Sequence, residues 1–146
     1  MTGFPSLKVL PLLLLALLAS LSCGSGNRKL QSVTLDPPAA DARDFPNGQV
    51  QFSATGTFSQ PPSPALLTSN DVSWCVGPQT NVMNPTAGVC VGNVVPFATV
   101  DQNGLARCNA SSQGTVYILA GTPMVSVMPD QGSLLKVFGS AQLTCP

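Results

Sequence analysis

FATVDQNGLARCNASSQGTVYILA, residues 97–120, is the stretch that decides the fold class. Asn103-Gly104 stands between two apolar segments, and both residue types tolerate positive φ, so the pair predicts a β-hairpin closed by a type I′ turn. From Thr115 the chain alternates. Val116, Ile118 and Ala120 share one face and Thr115, Tyr117 and Leu119 the other, the period of two of a strand. The first face is expected in the core. The second turns Tyr117 and Leu119 outward, a small apolar patch for which cover by the C-terminal strand is the expected fate.

Working outward, residues 49–57 give the clearest half-buried strand, with Val50, Phe52 and Ala54 on one side and Gln49, Gln51, Ser53 and Thr55 on the other. Residues 30–35 place Val33 and Leu35 together and stop at Asp36-Pro37-Pro38, because proline cannot donate to a ladder; this is expected to be an edge strand. Pro46-Asn47-Gly48 marks a turn. Residues 71–76 return to strand character with Val72, Trp74 and Val76 on one face, and residues 134–145 close the chain with Val137, Ala141 and Leu143 aligned. Between these lie a Pro- and Ser-rich loop over 59–70, a long irregular segment over 77–96, and an uneven segment over 122–133 whose Met124 and Met128 are expected to pack. The core candidates are Val50, Phe52, Trp74, Val100, Val116 and Ile118; Trp74, the one tryptophan, is read as core in preference to a ligand platform.

The chain has 146 residues, 8% charged and 44% hydrophobic, with 14 prolines. That composition fits one loop-rich, β-rich secreted domain rather than a disordered or helical chain. Histidine and glutamate are absent, and the formal charge is zero, so the basic stripe expected of a nucleic-acid partner is missing. No catalytic motif surrounds any serine or Lys136. Asp71, Asp101 and Asp130 are isolated rather than spaced as a calcium cage, and no metal or other cofactor is expected. Asn109-Ala110-Ser111 matches a glycosylation acceptor and is read as incidental.

Lys8 is the one charge before an apolar run over 9–21, which fits a signal-peptide core and is too short for the roughly 20 residues of a typical membrane span. Ser20-Leu21-Ser22-Cys23-Gly24 resembles a bacterial lipoprotein signal. The resemblance implies a signal peptide over 1–22, a lipid on Cys23, a tether over 23–29, a folded domain over 30–146, and an address in the cell envelope, at the outer membrane or cell surface. An ordinary secretory signal cut near Ala19 or Ser22 is the alternative. With Cys23 assigned to lipid, Cys75, Cys90, Cys108 and Cys145 form an even set in an oxidising compartment. Three connectivities are open; the favoured one is Cys75–Cys90, closing the long loop after a strand, with Cys108–Cys145 pinning the terminal strand to the central hairpin. A four-cysteine zinc site lacks a C-x-x-C pair.

About seven short strands separated by turns predict an antiparallel β-sandwich. Within that pattern, residues 33–37 (VTLDP), 49–56 (QVQFSATG), 72–74 (VSW), 98–105 (ATVDQNGL) and 114–120 (GTVYILA) resemble, in order, the successive strands of a bacterial immunoglobulin-like domain of group 2. The resemblance implies an immunoglobulin-like sandwich and a non-enzymatic binding or adhesion module, whose partner would be a protein or a glycan. A structural or accessory subunit that pairs through an exposed strand edge is the alternative.

Overall fold

The computed structural model describes residues 28–80, 88–91, 97–110, 112–123 and 134–146. Within them the chain is an all-β sandwich; its only helical turns are two short 3₁₀ segments. The expected leader over 1–22, Cys23, most of the tether, Met124, Met128, Asp130 and Ser111 lie outside the described residues. Among the described residues no helix is long and apolar enough to cross a membrane.

The strands are β1 (Leu30–Asp36), β2 (Ala39–Asp41), β3 (Gln49–Gln51), β4 (Ser53–Phe58), β5 (Ala65–Leu66), β6 (Ser73–Gln79), β7 (Ala98–Val100), β8 (Leu105–Cys108), β9 (Gly114–Pro123) and β10 (Leu135–Cys145). They form three ladders, β1-β4-β5, β3-β8-β7 and β2-β10-β9-β6. Every pairing is antiparallel except that of β2, which lies parallel to β10. The count exceeds about seven because short pieces add to the long strands: β5 arises inside the Pro/Ser-rich loop, and β2 follows the prolines that end β1. The single strand expected over 49–57 also serves two ladders. It breaks at Phe52, whose N–H leaves the strand pattern and donates to the Gly104 carbonyl at 2.9 Å. Before the break it pairs with β8, after it with β1.

The first two ladders form one layer and the third the other, with the main core between them. Val33, Leu35, Val50, Phe52 and Ala54 meet Val116, Ile118, Ala120, Ala141 and Leu143 there, all buried. Val100 and Trp74 are half-buried at its margin. The layers approach closely where β1 crosses β10. A Cβ on Gly139 would stand 2.5 Å from the Val33 carbonyl oxygen, so only glycine fits.

One further detail differs from the sequence reading and a second extends it. The hairpin joining β7 and β8 forms, but its turn is not type I′: Asn103 is absent from the residues with positive φ, and Gly104 alone is left-handed at φ 83°. Asp101 explains the change, since its Oδ1 accepts from the N–H groups of Asn103 and Leu105 at 2.8 and 2.9 Å and winds the loop one residue longer. The adjacent left-handed pair lies instead at the other Asn-Gly, Asn47 (φ 58°) and Gly48 (φ 63°). The second detail concerns the outer face of β9, where, under the expected C-terminal strand and a further segment, Leu119 is fully buried, at 0%. It belongs to a second small cluster with Cys90 and Leu135, flanked by Cys75, Tyr117 and Phe138.

The cover over Leu119 is built by the segment around Cys90 as well as by the C-terminal strand. Val91 N–H donates to Val76 O at 2.8 Å and Leu135 N–H to Gly88 O at 2.9 Å, and Val89 bridges to Leu134. Disulfides join Cys75 to Cys90 and Cys108 to Cys145, the latter tying the end of β8 to the end of β10.

Candidate functional site

Trp74 sits on β6 opposite Ala120 of β9, on the face that turns toward the main core. Its neighbours keep it from sinking fully. The Asp101–Gly104 turn stands against the ring, close enough that a Cβ on Gly104 would approach the Trp74 ring at 2.8 Å and the Phe52 carbonyl at 2.5 Å. The indole is therefore half-buried, packed on one side and bordering two hollows on the other.

The larger hollow, about 330 Å³, has Phe52, Ala54 and Leu67 as its floor and Leu66, Gln51 and Asn103 on its rim. Leu66 is 69% exposed, because the β5 alternation buries Leu67 and turns Leu66 out. The smaller hollow, about 290 Å³, shares Trp74, Ser69 and Gln102 with the first and adds Val72 and Ser73.

Both walls are fixed by local hydrogen bonds. On one side, Asp71 Oδ2 accepts from the Thr68 N–H at 2.8 Å and the Thr68 hydroxyl at 2.7 Å, and the Asp71 N–H returns to Thr68 O at 2.9 Å. These bonds to the charged form, the backbone one first, hold the Asp71 carboxyl below its ordinary range. On the other side, Gln51 Nε2 donates to Asn103 O at 2.7 Å and Phe52 O at 2.9 Å, fastening the hairpin turn to β3. Asp71 and Asp101 thus serve turns, and among the described residues no group of three histidine, cysteine or acidic side chains could hold a metal ion.

No charged residue lines either hollow. The polar side chains are amides and hydroxyls, several without a partner inside the protein. The Trp74 indole N–H, the side-chain amides of Gln102 and Asn103, and the Ser69 and Ser73 hydroxyls make no hydrogen bond among the described residues. Such a surface can stack on an apolar ring face and exchange hydrogen bonds with a neutral ligand; it holds no group suited to proton transfer near neutral pH.

Of the residues singled out in the sequence, Trp74, Phe52 and Asn103 meet at this site. Val50, Val116 and Ile118 lie in the core beneath, and Val100 borders a separate depression of about 230 Å³ with Thr99, Asp101, Leu105 and Arg107. Sequence reasoning missed Gln51, Leu66 and Gln102. The signal for Leu66 was there: Leu66-Leu67 is an apolar pair inside a polar loop, and alternation forces one of the two outward. Comparison of the chain with protein-family models and with curated proteins finds no match.

Proposed function

We propose that this chain is a non-enzymatic cell-envelope lipoprotein, held to the membrane by a lipid on Cys23, whose single disulfide-stapled, immunoglobulin-like domain of the bacterial group 2 type acts as a surface binding module. The observation that carries the binding role is the Trp74 groove: an accessible aromatic ring, uncharged walls and unpartnered amides on a rigid, doubly cross-linked sandwich. The lipoprotein-like leader supports the address. The groove wall at Ser53 pairs with Asp36, the opposite end of the β1–β4 ladder from the Leu30–Phe58 pair, where the tether enters. Five residues of strand separate the two, roughly 17 Å at the usual rise. At the entry the Arg28 guanidinium stacks 3.5 Å over the Phe58 ring and donates to Pro62 O, so the tether meets the fold at a fixed point.

The second reading, an accessory subunit pairing through a strand edge, is favoured by β7, which among the described residues pairs with β8 alone. Intact mass of the protein from its native membrane, before and after reduction and alkylation, tests the anchored-module proposal. The expected result is a chain beginning at lipid-bearing Cys23 whose four remaining cysteines alkylate only after reduction. An unlipidated chain would overturn the envelope anchor. Loss of partner co-purification on changing Val100 to proline, whose N–H faces away from β8, with Trp74 intact and the protein still folded, would favour the edge reading instead.

A further inference from the structure

We infer that the groove at Trp74 binds a neutral carbohydrate. This rests on the binding-module reading above and names its ligand class. Trp74 borders both hollows, so one ring is offered to two adjoining spaces of about 330 and 290 Å³. The Trp74 indole N–H is open to solvent and has no hydrogen-bond partner among the described residues, so it is available to a ligand that settles on the ring. Gln102, Asn103, Ser69 and Ser73 surround it with free side-chain donors and acceptors. A sugar matches this set: its C–H face packs on an aromatic ring while each hydroxyl both donates and accepts, as amide and hydroxyl side chains do.

Charge and backbone accounting argue against the other classes. The walls offer no counter-ion, so a charged ligand would lose hydration without compensation. An extended peptide needs a run of main-chain partners, and four of the groups at the groove are already taken. Phe52 N–H donates to Gly104 O, Leu67 N–H donates to Ala54 O, Asn103 O accepts from Gln51, and Asn103 N–H donates to Asp101.

Trp74 is the one tryptophan, so its emission reports on the site directly. The protein purified from its native membrane is titrated with neutral tri- and tetrasaccharides of glucose, galactose, mannose and N-acetylglucosamine, and with a sialylated trisaccharide as the charged control. The expected result is a saturable emission change with at least one neutral sugar and none with the sialylated one. The pair Ser69→Ala with Gln102→Ala, which touches exposed side chains, should weaken that sugar about tenfold or more without lowering Tm, and Trp74→Phe, followed calorimetrically in protein that still folds, should weaken it as much. A folded protein that gives no saturable response to any neutral sugar overturns the inference. A parallel assay uses native envelope fragments treated with periodate or with protease. Binding lost to periodate supports the carbohydrate; binding lost to protease alone overturns it and leaves the binding module standing; binding to neither untreated nor treated fragments overturns both.

Discussion

Cys108–Cys145 and Cys75–Cys90 have the same Cα separation, 5.6 Å, yet they fasten different regions. The first spans 37 residues and locks β8 of one layer to β10 of the other, at the edge of the main core. The second spans 15 residues and lies on the outer face of β6, where it clamps the segment around Cys90 over Leu119. One closes the sandwich, whereas the other lets a sheet bury both of its faces. The contrast shows that β9 is a central strand in two senses: Val116, Ile118 and Ala120 face the interior, and Leu119 is buried on the side that would otherwise meet water.

Removing each disulfide by paired Cys→Ala substitution tests the contrast most strongly. In the chain-entropy view, the longer loop is worth about 4 kcal/mol and the shorter about 3 kcal/mol. Denaturant unfolding should rank Cys108→Ala/Cys145→Ala as the more destabilised. A reversed order would mean that the outer clamp, not the inter-layer link, holds the fold.

Leu119→Ala comes next, at about 2–4 kcal/mol for a buried leucine. Its cost should shrink by about 1 kcal/mol or more when Cys75 and Cys90 are already alanine, because both changes release the same cover. Strict additivity in that cycle would show that Leu119 is held by Leu135 and Phe138 alone.

These two predictions also mark what the residues revealed and what they withheld. Alternation over 49–57 and 114–120 identified Val50 with Phe52, and Val116 with Ile118, as the core-facing sides of their strands, since the period of two is a local property. What covers the opposite face is not local. Leu119 is buried by a segment some thirty residues away in sequence, and its pattern is identical to that of a solvent-facing leucine. The Asn-Gly turn fails for a related reason: Asn103 permits positive φ but does not require it, and Asp101, two residues earlier, offers the backbone a better arrangement. At the groove, Trp74 was visible and its setting was not, because Gln51, Leu66 and Gln102 come together from three separate elements.

Gly104 sharpens the distinction between permitted and required conformations. At φ 83°, with the Phe52 carbonyl 2.5 Å from any added Cβ, Gly104→Ala should cost about 1–3 kcal/mol. Asn103→Ala, at negative φ, should cost well under 1 kcal/mol, and equal losses at the two positions would restore the type I′ turn.

The smallest effect separates the groove wall from the cores beneath it. Asp71 is exposed, and its carboxyl accepts both Thr68 bonds more strongly when ionised, which sets its pKa below the ordinary value of 3.8. A depressed acid stabilises the fold fully above its unfolded pKa, near 4, and that contribution fades as pH falls through the lower folded value. Asp41, held at about 2 chiefly by the Arg43 side-chain hydrogen bond, titrates in the same direction over pH 4 to 2. Solvent screening limits the Asp71 contribution to about 0.5 kcal/mol. Asp71→Asn should therefore lower Tm slightly at pH 7 and leave it unchanged at pH 2, while the main-core contribution of Phe52 persists at both. A loss of equal size at the two pH values would mean that Asp71 acts through its shape in the turn and not through its charge.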